Sequence, residues 1–112
     1  MELNRLYGSA TDYFSLNGHG VMKLTPDAAV DVCLQAAQHG LVVVRIEGGI
    51  WHSPAFEARL DRIWDGADPP IDLDRAMANN ARAAEDVRRE RAVHSAFIVS
   101  TAPLTGYRHK RK

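Results

Sequence analysis

A chain of 112 residues, 46% hydrophobic and 25% charged, is long enough for one domain with its own core, and this composition excludes wholesale disorder. Its apolar runs fall short of the ~20 residues a membrane helix needs, and Met1-Glu2-Leu3-Asn4 has neither the basic nor the apolar region of a secretory signal, so a cytoplasmic location without a membrane partner is expected. The formal net charge of zero hides a separation: Arg108, Lys110, Arg111 and Lys112 make a basic tail, leaving residues 1–107 with fourteen acids against ten bases, a net charge of −4.

Residues 1–8 are short and mixed, with Leu3, Leu6 and Tyr7 able to pack as an arm. Ser9 or Thr11 can cap a short helix through Tyr13, Phe14 and Leu16, and Asn17-Gly18 is a stop in the left-handed region. Gly18-His19-Gly20 reads as a turn, since it lacks the spacing and the lysine of a phosphate-binding loop. Val21 to Leu24 can pair as an edge strand. Thr25-Pro26-Asp27 then supplies a capping hydroxyl, a proline at the first helical position and an acid on the helix dipole. This second helix runs to Gly40, with Ala29, Val30, Cys33, Leu34 and Ala37 as its apolar face.

Leu41 to Ile46 is a β-branched run between glycines, the pattern of a strand buried on both faces. Gly48-Gly49 permits a bend or bulge before Ile50-Trp51-His52 continues extended. The next segment fits two patterns. Ser53-Pro54 can start a helix with Phe56, Leu60, Ile63 and Trp64 as its stripe, or Phe56, Ala58 and Leu60 can alternate with Glu57, Arg59 and Asp61 in a strand that turns back as a hairpin. The hairpin is the favoured pattern. Ala67-Asp68-Pro69-Pro70 makes a stiff loop, and Asp72 or Asp74 caps a helix from about Leu73 to Ala92 whose narrow buried face is Met77, Ala81, Ala84 and Val87. Glu85 and Arg89 are spaced as an i, i+4 pair. Ala96 to Ser100 is a final strand that Pro103 ends.

The expected architecture is α+β: a single small domain over residues 1–107, with a mixed or antiparallel sheet of about four strands, two long helices and one short N-terminal helix, followed by the tail at 108–112. Catalytic signatures are missing. His19, His39, His52, His94 and His109 lie far apart with no ligand spacing, so no metal or other cofactor is expected. Cys33 sits on an apolar helix face, which argues against an activated thiol. The carboxylates Asp61, Asp65 and Asp68 have no pocket signature around them. The tail can bind phosphate backbone or simply solubilise the chain, but no recognition fold precedes it, so nucleic acid is not an expected partner. Trp51 and Trp64 can each be core residues or interface anchors.

Several features in order carry a resemblance. They are the early helix ending in Asn17-Gly18-His19-Gly20, the helix leading into a strand, Gly48-Gly49 followed by an aromatic, Ile63-Trp64-Asp65, the proline break, and an Asn/Ala-rich helix running into a final strand. Together, over about residues 9–101, they resemble the small cytoplasmic immunity proteins of bacterial polymorphic toxin systems, most closely the group called immunity protein 40. Ile50 departs from that group, where an acid is expected after the two glycines, and so does the basic tail. The resemblance implies a non-catalytic protein that binds and neutralises one cognate toxin domain encoded next to it. On it, the acidic segment from Glu57 to Asp74 would face a basic cleft of the toxin, with Asp61, Asp65 and Asp68 among the charged contacts and Trp51 or Trp64 as an apolar anchor. Two other classes stay open: a small enzyme using the acids of residues 57–74, and a nucleic-acid-associated regulator using the tail.

Overall fold

The computed structural model describes residues 5–53 and 55–106, apart from the side chains of Leu60, Asp61 and Arg62. Leu3 of the expected arm, Pro54 and the tail at 108–112 lie outside the described residues. In chain order the elements are β1 (Leu6–Tyr7), α1 (Ala10–Ser15), β2 (Lys23–Leu24), α2 (Pro26–Gln35), a 3₁₀ turn (Ala36–His39), β3 (Leu41–His52), β4 (Ala55–Asp65), α3 (Leu73–Glu90) and β5 (Ala96–Pro103). The strands form one five-stranded sheet in the order β1-β2-β5-β3-β4. Among the described strands only β1 and β2 pair in parallel, so the sheet is mixed and the fold is α+β, as expected.

Local chemistry sets the helix starts. Ser9, Thr25 and Asp72 cap α1, α2 and α3 by accepting from Asp12 N, Ala28 N and Arg75 N, which satisfies amides that lack an intrahelical partner. Asn17 takes a positive φ of 55° after α1, as its stop signal implies, and Gly40 (φ 72°) closes the 3₁₀ turn. Arg91 reaches Asp27 at 2.8 Å, tying the end of α3 to the start of α2, so the two helices run antiparallel. The hairpin is observed: β3 pairs antiparallel with β4, and the register shifts between Glu47 and Gly49, where the glycine pair announced a bulge.

Several expectations need correction. The segment near Leu24 is not an edge, because β1 pairs on its outer side and β5 on its inner side. The second helix does not stay α-helical to Gly40 but tightens at Ala36. Its buried arc is wider than a single stripe and includes Ala28, Val32 and Ala36, because α2 packs against α1, α3 and β5 together. Leu34 is left exposed. Within the run Leu41–Ile46, consecutive residues are fully buried only at Val42 and Val43, while Arg45 is exposed. On α3, Met77 and Ala81 point outward, and the buried face is Ala76, Asn79, Asn80, Ala83, Ala84 and Val87. Glu85 pairs with Arg88 and Asp86 with Arg89, one residue closer than the i, i+4 spacing suggested.

The rotation of α3 has a cause. β4 meets β3 only from Arg45 onward, so residues 41–43 of β3 have no strand on that side. Asn80 Oδ1 accepts from Val43 N at 2.8 Å, Asn80 Nδ2 donates to the Leu41 carbonyl at 3.2 Å, and Asn79 Nδ2 donates to the Val43 carbonyl at 2.8 Å. Two buried amides thus stand in for the missing strand, as buried backbone groups require.

Candidate partner-binding surface

Side chains alternate along β3, and its two faces enter different clusters: Val42 packs with Ala76 and Ala102, while the main core takes the other face. Val43 and Ile46 join the main core with Trp64, Phe97 and Val99, and a Cβ built on Gly48 would meet His94 and Phe97. Gly49 faces the other way, since a Cβ there would meet the ring of Phe56. Trp51 and its partner Phe56 share that outer face. Trp51 N donates to Ser95 Oγ rather than to β4, so Trp51 and Phe56 are a non-hydrogen-bonded pair, the kind that brings side chains closest. Both are only half-buried, as are Ile63 and Ile98, which sit on either side of Glu47 in register.

One charged pair borders this apolar strip: Arg45 holds Asp65 at 3.3 Å. On the opposite face of the hairpin, toward the turn, Glu57 accepts from His52 Nε2 at 2.8 Å and lies 3.4 Å from Arg59. The hydrogen bond from His52, and then the Arg59 charge, hold the Glu57 carboxyl below its ordinary range.

The five expected contact residues are not placed alike. Trp51 and Asp65 share the outer face of the hairpin. Trp64 packs from the opposite face against the main core and is half-buried. Asp68 is exposed in the loop after β4, where it borders a cavity of about 490 Å³ with Arg75 and Arg82. The Asp61 side chain lies outside the described residues. Sequence reading missed Phe56 as the companion of Trp51, although its place in a period-two strand opposite an aromatic was the available signal. It also missed a second apolar region, where exposed Leu34, Leu73 and Met77 border a cavity of about 350 Å³ between α2 and α3.

The groups with chemical potential lie elsewhere. Cys33 is buried, and its thiol is pushed up to about 12, first by desolvation and then by the Asp86 charge, so the nucleophilic thiolate is suppressed. Burial also raises Asp86, against the nearby Arg89. His94 is buried with neither ring nitrogen hydrogen-bonded. Its Nε2 lies 3.5 Å from a Glu90 carboxylate oxygen without forming a hydrogen bond to it. Among the described residues no three His, Cys, Asp or Glu side chains cluster to hold a metal. No described helix is long and apolar enough to cross a membrane.

Comparison with known proteins gives a consistent picture. Residues 22–102 match the family described as Colicin-E5 Imm protein. The chain is 58% identical over 107 residues to the immunity protein CdiI of Burkholderia pseudomallei, covering 96% of this chain and 98% of that protein. It is also 34% identical over 80 residues to the colicin-E5 immunity protein of Escherichia coli, covering 70% of this chain and 96% of that protein. The immunity class implied by the order of motifs is thereby supported, and the group within it is the colicin-E5 one.

Proposed function

The chain belongs to the colicin-E5 immunity protein family, and on that premise we propose that it acts in the cytoplasm as a non-catalytic inhibitor, binding and covering a cognate toxin domain encoded beside it. Inhibition by occlusion needs only a complementary surface, and pairs of this kind reach high affinity when anchors and charge combine. An enzyme reading finds no support at Cys33, whose thiol is suppressed, or at Asp65, which is held by Arg45.

The interface in this proposal is the outer face of the β3–β4 hairpin. Trp51 and Phe56 are its apolar centre, Asp65 is on its rim, and Asp61 and Asp68 are further charged contacts. Trp64 supports it from behind by holding β4 to the core. The observation that carries this choice is the half-buried Trp51–Phe56 pair, which lies on the hairpin face opposite the main core and joins neither core cluster, because aromatic anchors dominate binding energy. The test is co-expression with the neighbouring toxin domain, followed by binding kinetics. Trp51→Ala is expected to speed dissociation by about thirtyfold or more, as loss of a hot spot of about 2 kcal/mol does. Met77→Asp, in the groove between α2 and α3, is the control and is expected to bind normally. A native dissociation rate for Trp51→Ala together with weak binding by Met77→Asp would move the interface to that groove.

A further inference from the structure

β3 outruns its neighbours at both ends, and side chains complete its ladder in both places. At the start, Asn79 and Asn80 replace β4. At the far end, β5 pairs with β3 only as far as Gly49 opposite Ala96, which leaves the amide of Trp51 facing a gap in the sheet. Ser95, just before β5, fills that gap: its Oγ accepts from Trp51 N at 2.8 Å, and its own N donates to the Gly49 carbonyl at 2.9 Å. Ser95 is in turn anchored from inside. The amide of the adjacent His94 donates to the Glu90 carbonyl at 2.9 Å, closing the end of α3, and the buried His94 ring lies against Gly48, where a Cβ would come within 2.7 Å of it.

We propose that Ser95 is a positioning residue for partner binding: its hydroxyl fixes the backbone at Trp51, and so the direction in which the Trp51 ring is presented. This rests on the reading of the hairpin face as the toxin interface. Ser95 itself is exposed, and its hydroxyl bonds to the Trp51 amide, so the role of that hydroxyl is one of orientation. Pre-setting an anchor lowers the ordering cost of association. A residue that acts through Trp51 loses its effect when Trp51 is gone.

The experiment uses the full chain and the toxin domain encoded beside it, with Ser95→Ala, Ser95→Thr, Trp51→Ala and the double variant. Hydrogen exchange of the Trp51 amide is measured alongside, without the toxin. The expected result is a three- to tenfold faster dissociation for Ser95→Ala, about the size of one hydrogen bond, with near-native behaviour for Ser95→Thr and a double variant no weaker than Trp51→Ala alone. The Trp51 amide should exchange faster in Ser95→Ala while the amides of β5 keep their protection. If Trp51→Ala weakens binding but Ser95→Ala binds as the native chain does, or weakens Trp51→Ala by its full factor again, Ser95 does not act through Trp51 and the proposal fails with the interface intact. Native-like exchange at Trp51 in Ser95→Ala would also overturn it. If Trp51→Ala itself binds normally, the interface reading fails, and the binding role of Ser95 fails with it.

Discussion

Asn80 shows how much a single buried polar side chain can determine. It is 3% exposed, and its Oδ1 serves both Val43 N and Asn79 Nδ2 while its Nδ2 reaches the Leu41 carbonyl. Truncation to alanine removes few van der Waals contacts but leaves the Val43 amide without a partner in a dry environment. Such a group costs about 1–3 kcal/mol, more than the net gain from an ordinary hydrogen bond. Asn80→Ala is therefore expected to lower unfolding stability by about 2 kcal/mol, read from urea denaturation with an unchanged slope. A loss under about 0.5 kcal/mol would mean that water reaches the β3 edge once the amide is gone.

At the level of elements, the hairpin depends on its bulge. Glu47 faces Ile63, but Gly49 faces Ala58, so two residues of advance on β3 meet five on β4. An odd step reverses the alternation, which is why Trp64 turns to the core although Phe56, eight residues earlier, faces outward. A Cβ on Gly49 would run into the Glu57 carbonyl oxygen and come 2.7 Å from the Phe56 ring, so this position tolerates only glycine. Gly49→Ala is expected to cost about 1–3 kcal/mol, in the range of overpacking, with amide chemical-shift changes concentrated in β3 and β4 rather than α2. The bulge also explains what sequence could and could not reveal. Capping by Ser9, Thr25 and Asp72, the buried run at Val42 and Val43, and the period-two signal of β4 are local, and they were legible. The face taken by each tryptophan was not, because strict alternation puts Phe56 and Trp64 together and only the register shift separates them. The inward turn of Asn79 and Asn80 was hidden for a similar reason, since it answers a gap left by a strand far away in sequence. The two-residue strands β1 and β2 exist only through their tertiary pairing.

For the molecule as a whole, charge distribution should govern how fast the partner is found, and buried apolar contact how long it stays. Three acids of the expected acidic segment have cations beside them: Glu57 has Arg59, Asp65 has Arg45, and Asp72 has Arg75. Their fields are partly cancelled at short range, so long-range steering depends more on the net charge of −4 over residues 1–107, opposed by the four cations of residues 108–112. If the toxin presents a basic cleft, those four cations oppose the approach. A chain ending at residue 107 is therefore expected to associate with the toxin about two- to tenfold faster than the full chain in low salt, because steered association follows net charge. The dissociation rates of the two chains should match. The difference should vanish near 1 M salt, where the screening length falls to about 3 Å. Asp65→Asn and Asp68→Asn should act in the opposite sense, slowing association in low salt only. Slower association by the shortened chain would reverse the sign and assign the cations of 108–112 to an acidic region of the toxin. A gain that persisted in high salt would instead mean that the last five residues hinder docking by their bulk, and electrostatic steering would have to be abandoned as the cause.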